Sequence, residues 1–190
     1  MIKIMEKKKA TAAMSYVMMF VIALIMMMVV LYLAQSARLM SHQRHIDDSL
    51  TDAVLASLVA DDTYYFETGE TKEVPTVRFQ STDDSFQKYK EAMDAAVSNT
   101  PGYYYNFHYD EFICYEVEGN AVTMTTFSGD SGRNHVTRGR LGSVRTPKGN
   151  VVKESSAYGR VRFDIKNIID GSLLTKTKDS YCTLEINPRI

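Results

Sequence analysis

The run from Ala10 to Ala37, ATAAMSYVMMFVIALIMMMVVLYLAQSA, holds 28 residues and no Asp, Glu, Lys, Arg or His. As a helix it is about 42 Å long, against a hydrocarbon core of about 30 Å in a bilayer. A soluble core helix of this length would show a polar face, and this run shows none. It predicts one transmembrane helix over residues 10–37, with the lipid bilayer as its first partner. Tyr16 and Tyr32 lie near its two ends, where interfacial aromatics gather. Six of the chain's 11 methionines fall within it and are read as flexible apolar packing rather than as soft-metal ligands.

The flanks give the run a direction. Lys3, Lys7, Lys8 and Lys9, opposed only by Glu6, precede it. Positive charge on that side predicts a cytoplasmic leader over residues 1–9 and an extracytoplasmic remainder, in a single-pass protein of the cell membrane. A secretory signal peptide begins in the same way, and Ala34-Gln35-Ser36 offers a small-residue cleavage site. Signal-peptide apolar regions are much shorter, about 7–15 residues, which favours a retained anchor.

Beyond Ala37 the pattern turns amphipathic. Leu39, Ile46, Leu50, Ala53 and Val54 share one helical stripe, and no Pro or Gly interrupts the chain between Ala10 and Asp62. One helix over about residues 10–60 is predicted, with an amphipathic extension over 38–60. Its stripe faces either its own domain or a sister helix, which makes these five residues the candidate assembly face. His42, His45 and Asp48 are spaced as metal ligands on one helical face. Nothing else in the sequence completes such a site, so a solvated polar face is favoured.

Residues 61–190 read as an α+β domain with an antiparallel sheet. Thr63-Tyr64-Tyr65-Phe66 and Val74 to Phe79 are β-prone. A helix follows, capped by Ser81 or Thr82, with Asp83 and Asp84 at its positive end and Phe86, Tyr89, Met93, Ala96 and Val97 on its apolar stripe. Asn99-Thr100-Pro101-Gly102 ends it. Phe112–Glu118 and Ala121–Phe127 flank Gly119-Asn120 as a hairpin. In Tyr158–Lys166, Val161, Phe163 and Ile165 alternate with charged residues as in a half-buried strand. Asp170-Gly171 makes a turn, and Ser180–Ile186 is the last strand.

Candidate chemistry is thin. Gly129-Asp130-Ser131-Gly132 matches the tetrapeptide around a trypsin-like nucleophile, but His108 is the nearest preceding histidine. That separation is too short to build the fold that carries the triad, so the reading is a glycine-rich turn. Ser131–Lys153 lacks Asp and Glu and carries Arg133, Arg138, Arg140, Arg145, Lys148 and Lys153. It reads as a solvated or partner-facing loop, with phosphate, lipid head groups or DNA as rarer partners. A net charge of −1 gives no global attraction to nucleic acid, which is an unlikely partner. Tyr103, Tyr104, Tyr105, Phe107, Tyr109 and Tyr115 read as sheet filling ahead of an adhesive surface.

Cys114 and Cys182 are the two cysteines, in a compartment that permits a disulfide. Strand phase places Cys114 with Glu116 and Glu118, and Cys182 with Leu184 and Ile186, which argues against a bridge. No P-loop, dinucleotide fingerprint or paired-histidine motif is present. No catalytic residue, cofactor, metal or small-molecule ligand is assigned, and a secreted enzyme is the least favoured class.

A basic leader, an apolar helix passing into an amphipathic half, and a C-terminal α+β domain together resemble pilins and pseudopilins. The nearest pattern is that of the TadE-like pseudopilins of the tight-adherence (Tad) pilus. The resemblance covers about residues 7–60. In that family a prepilin peptidase cuts after a small residue, and the mature chain carries Glu then an aromatic at its fifth and sixth positions. Here Ala10 matches the small residue, Thr11 becomes the mature N-terminus, and Tyr16 matches the aromatic. Ser15 stands where the family has Glu. The resemblance implies a non-enzymatic component of a bacterial pilus or secretion assembly, partnered by sister subunits or assembly-platform proteins. The alternative is a membrane-anchored extracytoplasmic ligand-binding or sensor domain.

Overall fold

A computed structural model of the chain describes residues 2–71, 77–167 and 170–184, with side chains from Met14 onward except at residues 69–71. One α-helix, α1, runs over Ile2–Ser57. The chain divides into two units, residues 1–41 and 42–190. In the first, every residue from Met14 to Ala34 is exposed. Its most apolar window has a mean hydropathy of 2.9 and none of it is buried, so the helix is long and apolar enough to cross a membrane.

The second unit is α+β. It begins with the last turns of α1, so residues 42–57 belong to the domain and are not a separate extension. Helix α2 spans Asp62–Thr71 and α3 spans Thr82–Ser98. Strands β1 (Tyr105–Glu118), β2 (Ala121–Ser128), β3 (Arg133–Arg140), β4 (Ser156–Lys166) and β5 (Leu173–Thr183) follow. They form one sheet in the order β3-β2-β1-β4-β5, every neighbouring pair antiparallel. The β1–β2 turn is Gly119-Asn120, with φ +58° at the glycine, a conformation glycine adopts without cost.

The sheet is covered on both faces. Register and alternation put Phe112, Cys114, Phe127, Ala157, Gly159, Val161, Phe163 and Ile165 on one face. The stripe His42, Ile46, Leu50, Ala53, Val54 and Ser57 of α1 is buried there, with Phe86, Tyr89 and Met93 of α3. Tyr89 stacks on Phe112 and Phe86 on Phe127, each at 4.7 Å between ring centroids. Gly159 lies where α1 and α3 come close to β4: a Cβ there would sit 2.8 Å from the Tyr89 ring and 2.9 Å from Val54. The opposite face carries Ile113, Tyr115, Val122 and Tyr158, and Val144 and Val152 of the segment between β3 and β4 close over it.

Three sequence expectations are corrected. Thr63–Phe66 lies in α2, because the Asp61 carboxylate accepts the Tyr64 N–H at 3.1 Å and caps a helix. The basic stretch is not simply a loop: Arg133–Arg140 is edge strand β3, and the residues after it cover the sheet. The last strand begins at Leu173 rather than Ser180. The alternation of β4 and the stripe Phe86, Tyr89, Met93 hold as read. Of the strand expected at Val74–Phe79, residues 74–76 lie outside the described residues and Phe79 forms an isolated antiparallel bridge with Ala60; residues beyond Leu184 also lie outside the described residues.

Candidate functional site

The helix carries the features that the resemblance implicates. Ser15 and Tyr16 are exposed on α1, and the side chains of Ala10 and Thr11 lie outside the described residues. Around Met18, Phe20, Ile22, Ile25, Met28 and Leu31 every direction is apolar and exposed, so this segment has no side that water prefers.

The assembly face read from the sequence does not survive. Ile46, Leu50, Ala53 and Val54 are buried to 1% exposure or less within their own domain. They fill the space over β4 that Gly159 and Ala157 leave open, so they are not a surface for sister helices. Leu39 lies outside that unit. The outward side of residues 42–57 is polar apart from Leu55, with Arg44, Asp48 and Asp52 exposed.

His42 and His45 are structural. His42 is buried and its ring stacks on Tyr103 at 3.9 Å. The Tyr104 hydroxyl lies 2.8 Å from His45 Nδ1 and donates to the His42 carbonyl at 3.1 Å. Burial, then the neighbouring Tyr103 and Asp47, push the Tyr104 hydroxyl up to about 12, so it stays a donor at all ordinary pH. Asp48 points away into solvent, and among the described residues no group of three His, Cys, Asp or Glu can hold a metal ion. Tyr104, Tyr109 and Tyr115 are core residues, so half of the six-residue cluster is filling, while Tyr105 is exposed.

Gly129-Asp130-Ser131-Gly132 is the β2–β3 turn. Asp130 accepts the Tyr109 N–H and contacts His108 Nδ1, each at 2.8 Å. Partial burial raises the Asp130 carboxyl, but these two partners outweigh it and hold it below its usual range. The histidine therefore pairs with the turn aspartate, and the Ser131 hydroxyl donates to the Ser128 carbonyl at 3.5 Å.

Of the basic residues, Arg145 donates to the Gly149 carbonyl at 2.9 Å and Lys148 pairs with Asp179 at 2.8 Å. Arg133, Arg138, Arg140 and Lys153 are exposed. The three arginines line edge strand β3, where charge discourages edge-to-edge pairing.

Both cysteines are free, Cys114 buried and Cys182 half-buried. Cys114 pairs in register with Ala157, and Ala157 with Cys182. The thiols therefore share a face, contrary to the strand phase read from the sequence. A whole strand separates them, about 9.5 Å between Cα atoms, beyond the span of a disulfide.

The sequence reading missed the start of β5. Leu173 and Leu174 are exposed there, and their signal was an apolar pair directly after Asp170-Gly171. A depression of about 210 Å³ is lined by Val59, Gln80, Ser81, Asp84, Gln87, Lys88 and Glu91. Comparison with family models, curated proteins and solved structures finds no match to this chain.

Proposed function

We propose that the chain is a single-pass, membrane-anchored, non-enzymatic subunit of pilin or pseudopilin type, serving a bacterial surface or secretion assembly of the Tad kind. The observation that carries this reading is the division of labour along α1. Residues 14–34 are exposed and apolar all round, while residues 42–57 spend their apolar stripe on their own sheet. Such a helix is a stalk for the domain and has its unused apolar surface only in the first half. Association between subunits then runs through residues 14–34, in lipid or in a bundle of stalks, and not through Leu50 and Val54. Lipid itself gives such helices little hydrophobic reason to associate, so packing of the methionines between Met14 and Met28 sets the contact. The alternative is a membrane-anchored extracytoplasmic ligand-binding or sensor domain.

The test is the intact mass of the membrane-extracted protein, with and without a co-expressed prepilin peptidase. Loss of residues 1–10, leaving Thr11 first, is the expected result. An uncut chain overturns the pilin reading and leaves a plain anchor. Loss of everything to about Ser36 makes the protein a secreted domain and overturns both.

A further inference from the structure

We propose that the end of the domain carrying Tyr105, Leu173 and Leu174 rests on the surface of the bilayer that holds the chain's own helix; the inference depends on the anchor reading above. Among the described residues, three of the six large apolar side chains exposed outside residues 14–40 fall at this one end. The others, Leu55, Phe66 and Val136, are scattered over α1, α2 and β3.

The end in question is the one where the chain enters the domain. Helix α1 and strand β5 run parallel, since Asp47 pairs with Lys178 at 2.8 Å and Thr51 Oγ1 lies 3.1 Å from Ser180 Oγ. Leu174 is four strand positions before Lys178, about 13 Å. His42 is five helical positions before Asp47, about 7.5 Å. Leu174 therefore lies beyond the level of His42, the first residue of the domain. Only four residues lie between Ala37, the last of the charge-free run, and His42, five Cα steps or at most about 18 Å of chain. So short a link keeps this end of the domain near the bilayer that holds the run.

Its composition suits the interface. Tyr105 aligns with Asp164, Leu174 with Ile165 and Leu173 with Lys166. Lys166 is exposed beside Leu173, and Lys176 shares the face of Leu174. Leucine and tyrosine enter the headgroup–acyl boundary while lysine amines reach back to phosphates. Two carboxylates described at this end are already hydrogen-bonded: Asp164 accepts from Thr175 at 2.6 Å and Asn106 at 2.7 Å, and the exposed turn residue Asp170 accepts from the Ser172 hydroxyl at 2.7 Å. Two leucines on an open edge strand otherwise invite pairing with another copy, and lipid removes that hazard.

The chain contains no tryptophan, so an introduced indole is a unique reporter. Single-tryptophan variants Leu174→Trp, Tyr105→Trp, Phe20→Trp and Asn120→Trp of the full chain are placed in nanodiscs at one copy each, with lipid brominated near the headgroup. Leu174→Trp and Tyr105→Trp are expected to lose about half of their emission or more, as indoles at the headgroup–acyl boundary would. Phe20→Trp is expected to be quenched and Asn120→Trp, at the opposite hairpin, to be unaffected. Quenched Phe20→Trp with Leu174→Trp and Tyr105→Trp behaving like Asn120→Trp overturns the docking and leaves the anchor intact. Unquenched Phe20→Trp overturns the anchor, and the docking with it. Shielding of Leu174→Trp that needs several copies in one vesicle assigns the patch to a second copy and overturns the lipid reading.

Discussion

Tyr89→Phe is expected to stabilise the domain, against the usual sign of a core substitution. Tyr89 has no exposed surface. Its ring stacks on Phe112 and meets Tyr109 edge-on at 5.7 Å, so the ring position is fixed from two sides. Its hydroxyl is buried and has no hydrogen-bond partner among the described residues. Burial first, then Tyr158 and Asp110, drive the hydroxyl pKa far above its ordinary value, so the group is never ionised and contributes no charge. In the unfolded chain the same hydroxyl is hydrated. Losing that hydration without a replacement costs about 1–3 kcal/mol. Phenylalanine keeps the ring and removes the cost, and the small void left behind takes back part of the gain, leaving about 1 kcal/mol. For a domain of this size that is a rise of about 2–4 °C in Tm. The assay is thermal unfolding of the full-length protein in mild detergent, followed by the circular dichroism of the sheet. A Tm lowered by a comparable amount would refute the reasoning, because it would mean that the hydroxyl makes a bond worth more than its desolvation.

Leu50→Ala removes a side chain pressed between α1 and the sheet, and is expected to cost about 2–5 kcal/mol in the same assay. Gly159→Ala forces a methyl group against the Tyr89 ring and Val54, and about 1–3 kcal/mol of overpacking is expected. Under oxidising conditions both cysteines are expected to remain thiols. Mass spectrometry of alkylated protein should show Cys182 modified in the native state and Cys114 only after unfolding. The Asp61 carboxyl is held below its ordinary value by the Tyr64 N–H and by Arg78. Its contribution is therefore complete above the unfolded value of 3.8 and is lost as pH falls through the lower folded value. Asp61→Ala should lower Tm at neutral pH, and the difference from the parent should close in acid. Glu116 has the opposite sign, since burial raises its carboxyl above 4.5. Glu116→Gln, which can still accept the Phe79 N–H, should raise Tm at neutral pH and lose that advantage as pH falls below the raised value.

Much of the fold was legible because burial leaves a period in the sequence. The α3 stripe and the alternation of β4 are direct records of a half-buried surface. Strand β3 leaves no such record: as an edge strand it is exposed on almost every residue, so only its pairing with β2 makes it a strand. Helix α2 was hidden by β-prone Tyr64, Tyr65 and Phe66, whose propensity yields to one capping carboxylate and to Arg78, which bonds the same Asp61 at 2.8 Å. The phase of Cys114 was misjudged through Glu116. A carboxylate ordinarily marks the wet face, but this one turns inward to accept the Phe79 N–H at 3.2 Å. The function of the α1 stripe was open for a plainer reason: periodicity shows that a face is buried and never says by what. The Leu173–Leu174 pair is missed by any search for alternation, because its two side chains point to opposite faces and both are exposed.

The packing of α1 against β4 and β5 also sets a schedule. The helix is the first part of the domain to be made, and the lysine that pairs with Asp47 lies 131 positions later. At roughly 5–20 residues per second, synthesis delivers it about 7–26 s after its partner. Through that interval Ile46, Leu50 and Val54 have no sheet to cover them. A chain that stalls or is cut before β4 presents the same stripe permanently, so early proteolysis or premature release yields a sticky fragment rather than a smaller version of the domain.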